Sequence, residues 1–282
     1  MSAYYKGIKI LLASMHKKEK AISPAFNKIL GCEIFVPDNF DTDQFGTFSG
    51  EITRKLSAYE TLKNKALDAS KIFNYDYVIS SEGSFGPHPD NFLMVSDVEM
   101  LLLYDRKLDL LIADYLISTN TNHSQFLVTK DNYSTKDYFD WLSYAKFPSH
   151  ALILKHDSSI LYKGISSFES LEKYLLPELE KYGKLSLETD MRAMMNPTRM
   201  GVINELAYKL AKRISNLCKK CGTPGFGKLE YTGHLICSWC DQETKVAKYK
   251  YVKCLRCDYF ESEEINSGKN TVDPMHCQYC NP

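Results

Sequence analysis

Cys218-Lys219-Lys220-Cys221, Cys237-Ser238-Trp239-Cys240, Cys254-Leu255-Arg256-Cys257 and Cys277-Gln278-Tyr279-Cys280 repeat one pattern four times within residues 218–280. A Cys-x-x-Cys pair forms a tight knuckle that aims two thiolates at one ion. Two knuckles complete a tetrahedral shell of four sulfurs, the coordination of structural zinc. Four pairs imply two zinc ions, held by Cys218, Cys221, Cys237, Cys240, Cys254, Cys257, Cys277 and Cys280. Fifteen residues separate the first pair from the second and 19 separate the third from the fourth. Sequential pairing is therefore expected; the alternative is an interleaved arrangement that joins the first pair to the third. Glycines and polar residues between the knuckles suit the short hairpins of a zinc ribbon. Thioredoxin-like redox chemistry would need one such pair in a βαβ setting rather than four in tandem. Gly222-Thr223-Pro224-Gly225-Phe226-Gly227-Lys228 spells most of a phosphate-binding loop, but Leu229 stands where a magnesium-binding Ser or Thr is required. The segment reads as a ribbon turn.

Upstream of the cysteines, Pro197 sits where a proline belongs at the first position of a helix, and the helical pattern runs to about Leu217. Residues 196–217 are read as a connecting helix between an α/β domain over 1–195 and the double zinc-ribbon module over 218–282. In the α/β part, apolar runs at Ile8–Met15, Cys32–Val36 and Tyr77–Ser80 read as strands. They alternate with helical patterns at Ala21–Leu30 and Arg54–Phe73, Pro24 being tolerable if the first of these begins near Ser23. Asp38–Glu51 is a polar loop, and Ser81–Pro89 is a turn-rich loop directly after the third strand. Val98–Tyr104 with Leu108–Ile117, and His150–Lys155 with Ile160–Lys163, look like hairpins. Helices are expected at Thr135–Ala145 and Phe168–Tyr182, and a strand at Lys184–Glu188. Early alternation followed by hairpins gives an α/β fold: a mixed sheet with flanking helices, then the small double-ribbon module.

The chain of 282 residues has a formal net charge of zero, so no global field attracts nucleic acid or an anionic membrane. No stretch approaches the roughly 18 apolar residues of a membrane span, and the start lacks a secretory pattern. A cytoplasmic protein with no membrane partner is expected. Lys248, Lys250, Lys253 and Arg256 form a local basic cluster, through which the ribbons would engage nucleic acid or a protein.

Chemistry-bearing residues gather at the predicted strand ends. The first strand delivers Ser14, His16, Lys18 and Lys20. The long helix carries Glu60 and Lys65, and the third strand ends at Glu82, followed by Ser84, Phe85 and His88. Ligands of open α/β sheets bind beyond the carboxyl ends of the strands. There lysines would neutralise phosphates and two carboxylates would hold magnesium or manganese. Arg192 after a strand and Arg199 at a helix start supply further phosphate donors. A nucleotide or related phosphate compound is the expected ligand. Magnesium-dependent hydrolysis of a phosphoanhydride is the function favoured, with a non-catalytic nucleotide-sensing or nucleic-acid- or protein-binding module as the alternative.

The order of these elements resembles the inosine and xanthosine triphosphate pyrophosphatase superfamily. That family's first strand leads into Thr-Gly-Asn-x-x-Lys, here Leu12-Ala13-Ser14-Met15-His16-Lys17-Lys18-Glu19-Lys20. Its following helix bears Glu-Asn-Ala-x-x-Lys-Ala, here Glu60-Thr61-Leu62-Lys63-Asn64-Lys65-Ala66. The resemblance covers about the first 90 residues. It implies that Glu60 and Glu82 bind magnesium or activate water and that Lys65 contacts phosphate. Met15 replaces the family's glycine, Thr61 its asparagine, and Glu19 falls where its lysine belongs, so that Lys18 or Lys20 must substitute. Over most of its length the chain resembles more closely a bacterial family defined as a domain of unknown function. That resemblance rests on Asp41-Thr42-Asp43, Gly46-Thr47-Phe48, Gly50-Glu51, Ser81 through Pro89 and the paired-cysteine tail.

Overall fold

A computed structural model describes residues 4–14, 17–37 and 56–282. The expected Asp38–Glu51 loop, with the motif residues at 41–51, lies outside them, as does His16. The chain forms two compact units, one over Gly7–Leu210 and one over Ala211–Pro282 with the first residues up to Lys6.

The larger unit begins β1 (Lys9–Ala13), α1 (Glu19–Leu30), β2 (Glu33–Phe35), α2 (Ala58–Ile72), β3 (Tyr77–His88), β4 (Asn91–Asp105), β5 (Leu110–Ser118). These strands make one mixed sheet of order β2-β1-β3-β4-β5, parallel across the first three strands and antiparallel across the rest. Leu11, Ala13, Val78 and Leu102 point to one face, where α2 covers them with Leu62, Ala66 and Ala69. Ile10, Leu12, Ile79, Leu101 and Leu103 alternate with these and are equally buried on the other face. Ser57 caps α2, its side chain accepting from Glu60 N at 3.2 Å. Leu62 is fully buried at the centre of this packing. Leu62→Ala is expected to lower unfolding free energy by about 2–5 kcal/mol; urea denaturation followed by circular dichroism measures it.

Two expectations need correction here. Ser81–Pro89 is not a loop: β3 continues to His88, paired with β4 residue by residue as far as Pro87 and with a register shift before His88, and the chain reverses at Pro89-Asp90. Also, α1 starts at Glu19 and keeps Pro24 in its second turn. The backbone bond that proline cannot make is offset by the burial of Ile22, Ala25 and Phe26 around it. The lone Cys32 is a core residue whose thiol burial pushes up to about 11.

The unit continues β6 (Gln125–Thr129), α3 (Lys136–Tyr144), β7 (Leu152–His156), β8 (Ser159–Ile165), α4 (Phe168–Tyr182) and β9 (Lys184–Thr189). A second, wholly antiparallel sheet has the order β6-β9-β7-β8. Its core joins Leu152, Leu154, Leu185 and Leu187 to the α4 stripe Leu171, Leu175 and Leu179 and to Tyr138 and Leu142 of α3. Strand β6 escaped the sequence reading because it is five residues long and carries one fully buried apolar residue, Val128. Then α5 (Pro197–Ser215) starts at the proline as expected, with Asn196 Oδ1 accepting from Arg199 N at 3.0 Å. Asn204 of α5 donates to Ala21 O of α1 at 2.7 Å, and Lys209 pairs with Asp114 of β5 at 2.8 Å. The division between the two units falls inside α5.

The smaller unit is built on β10 (Lys228–Cys237), β11 (Glu243–Lys253), β12 (Phe260–Glu264) and β13 (Thr271–Val272), a four-stranded sheet of order β12-β11-β10-β13. The two units together give the mixed α/β fold with a cysteine-rich tail that the sequence implied. No helix among the described residues is long and apolar enough to cross a membrane.

Candidate metal centres and a buried charge cluster

The eight paired cysteines assemble into two quartets: Cys218, Cys221, Cys254 and Cys257, and Cys237, Cys240, Cys277 and Cys280. Within each, all sulfurs lie within 4.8 Å of one another. The contacts between knuckles are 3.7 Å for Cys218–Cys257, 3.6 Å for Cys221–Cys254, 3.8 Å for Cys237–Cys280 and 3.7 Å for Cys240–Cys277. A tetrahedron with metal–sulfur bonds of about 2.3 Å has edges of about 3.8 Å. Each quartet therefore fits a zinc ion, and a shell of four sulfurs leaves no open position for a substrate.

The pairing is interleaved, first with third and second with fourth, and this overturns the sequential expectation. The hairpin of β10 and β11 is the reason. Lys228 pairs with Lys253 at one end and Ile236 with Glu243 at the other. Eight extended residues at about 3.4 Å each hold those ends roughly 27 Å apart. Cys254 leaves β11 at the first end, beside Cys218 and Phe226, whereas Cys237 and Cys240 lie at the second. In the knuckles, the amides of Arg256, Trp239 and Tyr279 each donate to the sulfur two residues earlier at 3.4 Å. The Thr223 hydroxyl contacts Cys221 Sγ at 3.1 Å and pushes that thiol down to about 6. Such donors favour thiolate over thiol. The segment resembling a phosphate loop is knuckle structure: Cys218 N donates to Thr223 O at 2.9 Å, and Phe226 packs on Cys218 and Cys254.

In the larger unit, β1 ends at Ala13, opposite Ser80 of β3. Beyond that point β3 runs on without β1 beside it, and two lysines converge there. Lys18 Nζ donates to Ser81 Oγ at 2.5 Å, and Lys65 Nζ approaches Ser81 O at 3.5 Å. On the face covered by α2, Lys65 is bonded to the Glu82 carboxylate. On the opposite face, Gly83 pairs with Glu99 of β4. Glu99 accepts from Arg199 Nε at 2.5 Å and lies 3.8 Å from Lys18 Nζ. Arg199 also donates to Met191 O at 2.6 Å, and its guanidinium stands 5.4 Å from the Phe85 ring. Asp97 points to the same face as Glu99. It is 1% exposed and no donor reaches either of its oxygens; its hydrogen-bonding neighbour is the Glu99 carboxyl, a bond that needs a proton on one of the two.

Three cations and three carboxyls thus share one buried region. Burial is the leading influence on both unusual members. It lowers Lys18 to about 8, opposed by Glu99 and assisted by Arg199. It raises Asp97 to about 8, reinforced by the Glu99 charge. Well below pH 8, therefore, Lys18 is charged and the Asp97 carboxyl is neutral.

Of the residues singled out in sequence, Lys18, Lys65, Glu82 and Arg199 are brought together, with Ser14 buried at the end of β1. Lys20 and Ser84 are exposed. Glu60 is exposed in the first turn of α2, about 140° around the helix from Lys65. His88 lies at the β3–β4 reversal, accepting from Asp90 N at 3.1 Å. Arg192 is committed to Asp190, with Nη2 to Oδ2 at 2.6 Å. Glu82 is engaged by a lysine and Glu60 lies elsewhere, so the pair expected to hold magnesium or manganese is not brought together. Asp97 and Glu99 were missed. The only signal was two acids at alternate positions leading into the apolar run Leu101-Leu102-Leu103, which reads equally well as a half-solvated strand.

No curated protein matches the chain. A family model described as "Domain of unknown function (DUF6671)" matches residues 65–282, which takes in Lys65, Glu82, Asp97, Glu99, Arg199 and all eight paired cysteines. The chain belongs to the DUF6671 family.

Proposed function

We propose that the α/β unit binds a phosphate-bearing small molecule, nucleotides among them, beyond the carboxyl ends of β1 and β3, and that the tail is a structural module holding two zinc ions. One observation carries the ligand assignment: Lys18, Lys65 and Arg199 are buried together where the parallel strands end. With order β2-β1-β3, the β1–β3 boundary is the switch point of the sheet, the place where open α/β sheets bind ligands. An ammonium has three donors, and the single hydrogen bond of Lys18 to Ser81 leaves capacity for a ligand oxygen.

Hydrolysis of a phosphoanhydride is the second reading, and the Glu82–Lys65 contact favours it. A carboxylate that orients water would stand next to a cation that stabilises phosphate charge. Magnesium or manganese would then arrive on the nucleotide. These are two of the three residues to which the resemblance to triphosphate pyrophosphatases assigns roles; Glu60, the third, lies apart. In the zinc module, Lys250 pairs with Glu263 at 2.8 Å, Lys253 with Glu230 at 3.3 Å and Lys248 with Glu264 at 3.5 Å. This neutralisation favours a protein partner over nucleic acid.

The test is a melting-temperature screen with phosphate, pyrophosphate and nucleotides, run beside a phosphate-release assay. Wild type is expected to gain stability with at least one phosphate compound. Lys18→Gln is expected to weaken that binding about ten- to hundredfold, the value of a charge-assisted hydrogen bond. Silence across the screen sinks the ligand assignment, and release undiminished in Glu82→Gln sinks the reaction.

A further inference from the structure

The sheet of the zinc module carries a pocket of about 770 Å³ on one face. Alternation along β11 puts Tyr249, Tyr251 and Lys253 on that face, and Phe260 of β12 joins them as the partner of Lys253. The third knuckle supplies Leu255 and Arg256 at the end of the strands. Cys218 and Cys221 do not line the pocket, so it is separate from the first metal position. Aromatic walls with a few polar groups, enclosing this volume, are the usual make-up of a ligand site.

The side chains specify the occupant. Phe260 is 60% exposed and the two tyrosines are half-buried, so the rings still have apolar area to bury. Tyr251 is fixed in place, its hydroxyl donating to Glu230 at 2.5 Å. The same carboxylate takes Lys228 at 3.2 Å and Lys253 at 3.3 Å, which occupies that acid and both lysines. Arg256 differs: it is exposed and makes no ion pair among the described residues. A guanidinium beside aromatic rings recognises a carboxylate or a phosphate. Charge decides between them. Residues 211–282 hold 11 Lys and Arg against 8 Asp and Glu. Eight thiolates around two zinc ions add about −4, which brings the loaded tail to about −1. Such a module has no field to hold a polyanion. Asp258, the other charged side chain of that wall, opposes a chain of phosphates more than a single carboxylate.

We propose that this pocket docks a segment of a partner protein, taking a bulky apolar side chain between Tyr249, Tyr251 and Phe260 and a neighbouring carboxylate on Arg256. The inference deepens the protein-partner reading of the zinc module and is independent of the ligand assigned to the α/β unit.

The probes are acetyl-Ala-Phe-Glu-amide, the same peptide with Gln for Glu or with Ala for Phe, and an oligouridine. Each is titrated into zinc-loaded, full-length, 15N-labelled protein and followed by NMR. The Phe-Glu peptide is expected to shift the amides of Tyr249, Tyr251 and Phe260. Its affinity should fall about three- to fivefold with Gln, the value of an exposed ion pair. Replacing Phe by Ala should cost about tenfold or more through lost ring burial. In Arg256→Gln the preference for Glu over Gln should vanish while the Gln peptide still binds. The Arg256 amide, not its side chain, bonds the Cys254 sulfur, so the variant should keep two zinc ions per chain. The peptide comparisons need no variant and decide the matter even if it loses metal. Equal binding of the Glu and Gln peptides overturns the inference, as does a preference for Glu that survives in the variant. Shifts confined to other residues, or none with any peptide, overturn it too. Tighter binding of oligouridine at the same residues makes the pocket a nucleic-acid site and removes the peptide. None of these outcomes touches the phosphate site of the α/β unit, which the anion screen decides separately.

Discussion

Cys218→Ser/Cys254→Ser is expected to retain one zinc ion per chain, and Cys218→Ser/Cys237→Ser none. Both substitutions of the first variant fall in one quartet, whereas those of the second strike one ligand in each. Sequential pairing would reverse the two results, so metal content by plasma mass spectrometry reads the topology directly. The effect on folding should be large. Around the first quartet the buried apolar core consists of Cys218, Phe226 and Cys254, with Val252, Cys257 and Tyr259 at its edge. So small a core cannot hold a unit of this size together. Apparent binding free energies of structural zinc run to about 10–16 kcal/mol, comparable with or above the whole stability of a typical domain. In the first variant, amides near Lys228 and Lys253 should lose hydrogen-exchange protection while those near Cys237 and Glu243 keep theirs. Chelation of wild type should release both ends.

Gly83→Ala should be the most damaging single-methyl change in the larger unit. A Cβ there would stand 2.3 Å from Arg199 Nη2 and 2.5 Å from Glu99 Oε1, far inside contact distance. Both side chains are buried and bonded to each other, so neither can swing into solvent. Relief requires parting the pair, and separating a buried ion pair costs about 3–5 kcal/mol. Gly86→Ala, three residues on in the same strand, meets no atom within 4 Å and should change stability by less than about 1 kcal/mol. Urea denaturation of the two variants beside wild type measures the contrast; equal losses would mean that Gly83 matters only as strand backbone.

The sequence disclosed what is periodic or local. The cysteines of a knuckle sit three apart whatever they later join, so the ligands were legible and their partners were not. Pairing is set by where the β10–β11 hairpin delivers Cys254, a distance that no spacing rule contains. The apolar faces of β1, α2 and α4 were equally plain, and Asn196-Pro197 marked the start of α5. The far half of β3 reads as a loop in sequence because its side chains meet Glu99, Asp97 and Arg199 instead of a hydrocarbon core, which removes the apolar alternation that marks a strand. The same exchange hid Asp97 and Glu99, whose burial depends on a helix starting at Pro197, about 100 residues downstream. Lys65 and Glu82 stand out in sequence by their places on a helix and at a strand end, and they touch. Glu60 stands out beside them, but the turn of the helix carries it outward.

Interleaving has a further consequence for the tail as a mechanical object. A single cut anywhere between Cys240 and Cys254 leaves one piece carrying Cys218, Cys221, Cys237 and Cys240 and another carrying Cys254, Cys257, Cys277 and Cys280. Each quartet draws two sulfurs from each piece. Both metal centres then act as cross-links over the break, and a nicked tail stays in one part for as long as it stays loaded.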